Sequence, residues 1–128
     1  MPEEFQLLEE WKKILNLNDW FITLKYPCDD DDMMEDADGD VEYVESTRCA
    51  LIRICNPETR KDGLRPFDFE SVLVHELLHC KMSLLGNGED WDKNLRMRVL
   101  HQMIDDLAIS FVEAKRKGLE SKTKKEKG

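Results

Sequence analysis

His75-Glu76-Leu77-Leu78-His79 reads HExxH, and the chain holds one further histidine, His101, 22 positions beyond the motif. On an α-helix, residues i and i+4 lie about 40° apart around the axis and about 6 Å apart along it, so His75 and His79 can reach one metal ion. Glu76 precedes His79 by three residues and stands on nearly the same face. There it reaches a water on the metal without being a ligand, the position of a general base in metal-assisted hydrolysis. Zinc is the expected ion, and a catalytic zinc takes three protein ligands and leaves the fourth position to water. For the third ligand the chain offers His101, Asp105, Asp106, Glu89, Asp90 and Asp92. His101 is favoured, because its helix is expected to fold back across the turn Gly86-Asn87-Gly88. Asp105, one turn further on, is the alternative, either as a ligand or as acceptor for the second ring N–H of a ligand histidine.

The sequence around the motif strengthens this reading. Val72, Leu73, Val74, Leu77, Leu78, Met82 and Leu84 make the segment apolar almost all round, as expected of a helix at the centre of a domain. The plain alternative is a buried helix with hydrogen-bonded histidines. Two histidines and a glutamate are costly there unless something ligates or pairs with them.

The elements that must position these residues follow from periodicity and punctuation. Glu4 to Leu15 has Phe5, Leu8, Trp11, Ile14 and Leu15 on one helical face, and Asn16-Leu17-Asn18-Asp19 ends it. Trp20 to Tyr26 alternates and is stopped by Pro27, giving a first strand. Val41 to Val44 and Cys49 to Cys55 make two more, the second setting Ala50, Ile52 and Ile54 against Cys49, Leu51 and Arg53 before Asn56-Pro57. Asp68 is a plausible N-cap for a helix from Phe69 to Leu85, which the glycines at 86 and 88 stop. A last helix from about Trp91 to Arg116 carries Leu95, Val99, Met103, Ile104, Leu107, Ala108, Phe111 and Val112, with His101 at the edge of that face. The fold class expected is α+β: an N-terminal helix, a small antiparallel sheet of about three strands, the HExxH helix and a long C-terminal helix.

Length and composition bound the rest. At 128 residues and 41% hydrophobic, the chain fits a single domain, expected over 1–117, followed by a basic tail over 118–128. The net charge of −9 is local, because residues 29–45 hold ten acidic side chains and no basic one, so the remainder sums to +1. That acidic loop is expected to be disordered and to repel phosphate, which argues against nucleic acid as a partner. Lys115, Arg116, Lys117, Lys122, Lys124, Lys125 and Lys127 are expected to be solvated. No stretch approaches the length of a membrane span, and Met1-Pro2-Glu3-Glu4-Phe5 lacks the features of a signal peptide. With four cysteines in no C-x-x-C spacing, a reducing cytoplasm is the expected setting.

In this order of elements the chain resembles the minimal zincin metallopeptidases, the small gluzincin-like and ImmA-like proteins of bacteria and their phages. The likeness covers most of the chain, although HExxH alone is highly specific. His101-Gln102-Met103-Ile104-Asp105-Asp106-Leu107-Ala108 looks like the ligand-bearing helix of that family, with His101 where Glu is often found. Leu85 occupies the place of the third metzincin histidine, so the metzincin pattern fails. The resemblance implies a zinc metallopeptidase acting on a peptide or protein, with His75, His79 and His101 as ligands and Glu76 as the base. It also implies that Cys49 to Cys55, before the active helix, pairs with the extended substrate. The alternative is a catalytically idle zincin scaffold whose metal only holds two helices together. Tyr26, Tyr43, Arg48 and Arg98 are the candidates for oxyanion donor, and each also fits a surface or packing role.

Overall fold

A computed structural model describes residues 3–29, 38–59, 66–83 and 93–127, with the backbone alone described over 93–98 and 120–127. The chain divides into two compact units, Met1–Asn87 and Gly88–Gly128. The first holds helix α1 (Glu3–Ile14), strands β1 (Phe21–Cys28), β2 (Gly39–Val44) and β3 (Cys49–Cys55), and helix α2 (Phe69–Met82). The second holds helix α3 (Lys93–Lys127). The layout is α+β. Among the described residues no helix is long and apolar enough to cross a membrane.

Local chemistry sets the helix ends. α1 stops where Asn16 takes a left-handed conformation (φ 57°). The Asn16 N–H then reaches the Lys13 carbonyl at 3.2 Å and the Leu17 N–H reaches that of Lys12 at 2.7 Å. These two bonds make a Schellman cap, and Asn tolerates that φ better than most residues. α2 begins as expected at Asp68, whose carboxylate accepts from the Ser71 N–H at 3.3 Å.

The sheet differs from the all-antiparallel one expected. Its order is β1-β3-β2, with β1 parallel to β3 and β2 antiparallel to it. The alternation of apolar residues shows which face of a strand is buried, but not which neighbour the strand takes. β2 and β3 form a hairpin through the short 3-10 turn Glu45–Thr47 and Arg48, which is left-handed at φ 53°. The hairpin turns β3 into the gap between β2 and β1. Pro27 does not end β1. The ladder slips between Lys25 and Cys28 and resumes at Cys28 opposite Cys55, with a cis Tyr26-Pro27 bond inside the slip. A proline is tolerated there because β1 is an edge strand and an irregular stretch needs no N–H from it.

The core of the first unit lies between the sheet and the two helices. β3 turns Ala50, Ile52 and Ile54 inward, as its alternation predicts, and α2 brings Leu73, Val74, Leu77, Leu78 and Cys80, all nearly inaccessible. α2 packs on β2, β3 and α1. α1 contributes Leu8 and Trp11, and the Trp11 indole N–H donates to the buried Glu70 carboxylate at 2.7 Å. This bond ties α1 to the first turn of α2, where a negative charge also suits the helix dipole.

In the second unit α3 runs well past the end expected at Arg116. The stretch read as a tail over 118–128 continues the helix to Lys127, because its Lys, Glu and Leu are good helix formers without an apolar stripe. Its buried stripe is narrow, Ile104, Ala108 and Val112 at successive four-residue steps, while Val99, Met103 and Phe111 are exposed. The acidic segment expected as a loop supplies β2 from Gly39 onward, and residues 30–37 lie outside the described residues.

Replacing Trp11 by Phe keeps the ring in the core and removes one donor from a buried carboxylate. We expect a loss of about 1–3 kcal/mol in urea denaturation monitored by circular dichroism. A change below about 0.3 kcal/mol would show that the bond is immaterial to the fold.

Candidate metal centre

The burial of α2 on the sheet and on α1 decides where its polar residues stand. Leu73, Leu77 and Cys80 are fully buried, and Glu76 lies among them at 5% exposure. His75 and His79 are half-buried, one turn apart. Their rings stand side by side with centroids 5.1 Å apart and planes inclined by 55°. The two imidazoles are thus gathered on one helix face, as the motif's spacing predicts.

Burial first, and then the nearby Asp40 carboxylate, push the Glu76 carboxyl up to about 8. A carboxyl held in this range exchanges its proton near neutral pH, which suits a general base. Cys80 follows His79 directly but does not join the donors. It is fully buried, and that burial together with the Glu76 carboxyl pushes its thiol up to about 12, so the thiolate a metal requires is disfavoured.

Sequence reasoning missed the groups behind Glu76. Asp40 is 5% exposed, and its Oδ1 accepts from Arg53 Nε at 2.6 Å, while Arg53 Nη2 donates to Glu42 Oε1 at 2.8 Å. These bonds, first Glu42 and then Asp40, hold the guanidinium charged well above its ordinary range. The sequence carries only the spacing of the two acids, and the structure supplies their partner. Asp40 and Glu42 are two apart on a strand and share a face, and Arg53 stands opposite Asp40 in the ladder. Reading residues 29–45 as one acidic stretch hid that pair.

His101 belongs to the second unit, where it is exposed on α3 with Asp105 half-buried one turn on and Asp106 exposed. Glu89, Asp90 and Asp92 lie outside the described residues. Of the oxyanion candidates, Tyr26 packs edge-on against Phe69 at 4.7 Å and Tyr43 against Trp20 at 6.4 Å. Burial, and then the nearby Glu4, raise the Tyr26 hydroxyl above its usual range. Arg48 donates to Asp19 at 2.8 Å, and the side chain of Arg98 is not described. None of these contacts involves His75, Glu76 or His79.

The strand expected to take an extended substrate is corrected by the topology. β3 is central and paired on both sides, so it has no free edge. The edge strand packed on α2 is β2. The Cys55 N–H donates to the Asp38 carbonyl at 2.8 Å. By antiparallel alternation Asp40, Glu42 and Val44 therefore bond to β3, and Gly39, Val41 and Tyr43 direct their backbone groups outward.

Comparison with protein-family models, with curated proteins and with solved structures finds no match for this chain.

All four cysteines are free, and Cys49 alone is exposed. In native protein, Ellman's reagent should therefore titrate one fast thiol, and Cys49→Ser should abolish the fast phase. Rapid reaction of a second thiol in the folded protein would contradict the burial of Cys80, Cys28 and Cys55.

Proposed function

We propose that this protein is a zinc-dependent metallopeptidase with Glu76 as general base and His75, His79 and His101 as metal ligands. The observation that carries the reading is a buried glutamate whose neighbours on the same helix are two half-buried, adjacent imidazoles. A structural metal site has no use for a carboxyl in that place. The donor chemistry fits zinc. Two imidazoles one turn apart on one helix supply two ligands, and His101 is the one further histidine of the chain. When bound, zinc acidifies water and polarises a carbonyl.

The chain's own residues do the rest. Glu76 accepts a proton from the attacking water and delivers it to the departing amine, so one group serves as base and then as acid. His75 and His79 would hold the ion. The outward N–H and C=O groups of Gly39, Val41 and Tyr43 offer an extended peptide a ladder beside that face. The free thiols support a reducing, cytoplasmic setting.

A second reading is an idle scaffold with a structural metal. It is favoured by the pairing of Arg48 with Asp19, which engages one of the candidate oxyanion donors.

Purified protein should contain about one equivalent of zinc, lost with a chelator and regained with added zinc. His101→Ala should weaken metal binding, whereas Asp105→Ala should spare it, and the reverse pattern would move the third ligand to Asp105. Glu76→Gln should keep the metal and lower cleavage of a randomised peptide library by about 100-fold or more. Equal cleavage by wild type and Glu76→Gln at equal zinc content would exclude the base, and no cleavage by the zinc-loaded wild type would favour the scaffold.

A further inference from the structure

β2 enters the sheet directly over the middle of α2. A Cβ built at Gly39 would stand 2.6 Å from Val72 Cγ1, 3.3 Å from the Arg53 carbonyl oxygen and 3.4 Å from Glu76 Cγ. Val72 and Glu76 are four residues apart and therefore neighbours on one helix face. The first distance is shorter than a real carbon–carbon contact allows, and valine is stiff at χ1, so it has little room to turn away. The absence of a side chain at 39 is what lets the strand lie against this face.

The strand is also held in that place. The Asp38 carbonyl accepts from the Cys55 N–H at 2.8 Å, and the buried Asp40 carboxylate accepts from Arg53 Nε at 2.6 Å. Backing away from α2 would break a ladder bond and expose or unpair a buried charge, which is costly. A side chain at position 39 would thus be pressed against Val72 and the methylene of Glu76, with the strand held from moving away.

We propose that Gly39 is a positioning residue for Glu76: β2, seated through the missing side chain and pinned by Asp40 and Arg53, fixes where the Glu76 carboxyl stands relative to His75 and His79. This rests on the assignment of Glu76 as the base. A methyl group at 39 must displace Val72, the strand or the Glu76 side chain. A carboxyl displaced by about 1 Å loses catalysis on the order of 100-fold.

The test compares Gly39→Ala, Val72→Ala and the double variant in the full chain, with two readouts. Steady-state kinetics of the zinc-loaded proteins use a peptide taken from a randomised library. The 13C carboxyl resonance of Glu76 is read in metal-free, glutamate-labelled protein at one pH, and is assigned by its absence in Glu76→Gln. Gly39→Ala should keep zinc content, lower kcat by about 10- to 100-fold, and shift the resonance. Val72→Ala in that background opens the space the new methyl needs and should return both towards wild type. Val72→Ala alone should leave both near wild type. An unshifted Glu76 resonance in folded Gly39→Ala, or a loss of kcat that persists in the double variant at equal zinc content, would overturn the proposal. Should Gly39→Ala fail to fold, the double variant decides it: a wild-type resonance supports the role and a displaced one refutes it. If the zinc-loaded wild type cleaves no peptide, the peptidase reading falls, while the resonance still decides whether Gly39 positions Glu76.

Discussion

One helix has to do two incompatible things in the first unit, and the structure follows from how it does so. α2 supplies much of the apolar core through Leu73, Val74, Leu77 and Leu78, so it must be buried on most sides. It also carries His75, Glu76 and His79 in its middle. A polar group in such a position destabilises the fold unless it is paired or left an opening to solvent. The two histidines keep partial exposure and stand together, and Glu76, the one most deeply buried, has its carboxyl displaced towards the neutral form. Asp68 caps the helix and the Trp11–Glu70 bond anchors its first turn, so the register of all three residues is fixed from the N-terminal end.

The sheet meets this helix with a surface shaped for it. β3 presents Ala50, Ile52 and Ile54, which cover the apolar part of the face, whereas β2 presents a glycine where Val72 and Glu76 rise. Putting charge behind Glu76 is the less expected choice. Asp40 raises the proton affinity of Glu76, and Arg53 stops Asp40 from being an uncompensated charge. Because Arg53 sits on the central strand and its two partners are two residues apart on the edge strand, a single guanidinium fastens the hairpin and sets the electrostatics behind α2.

Much of this was legible in the residues. The spacing of HExxH gave the pairing of His75 with His79. The side chain of Asp68 gave the start of α2, Asn16 the stop of α1, and the alternation Ala50-Ile52-Ile54 the inner face of β3. What was not legible depends on partners distant in sequence. Alternation is the same for parallel and antiparallel neighbours, so β1 pairing parallel with β3 left no mark. Pro27 reads as a strand end unless the strand is known to be an edge. Asp40 looked like one acid among ten until its ladder partner, Arg53, was known. The length of α3 was misjudged because the apolar stripe stops at Val112, whereas helix propensity alone carries the chain on to Lys127.

The central claim is that this chain holds a zinc ion by imidazoles and leaves a position open to water. X-ray absorption at the zinc edge of the zinc-loaded full chain tests it most directly. The account predicts four nitrogen or oxygen neighbours at about 2.0–2.1 Å, outer-shell scattering from imidazole rings and no sulfur. A sulfur neighbour at about 2.3 Å, or an all-oxygen shell without imidazole scattering, would contradict it.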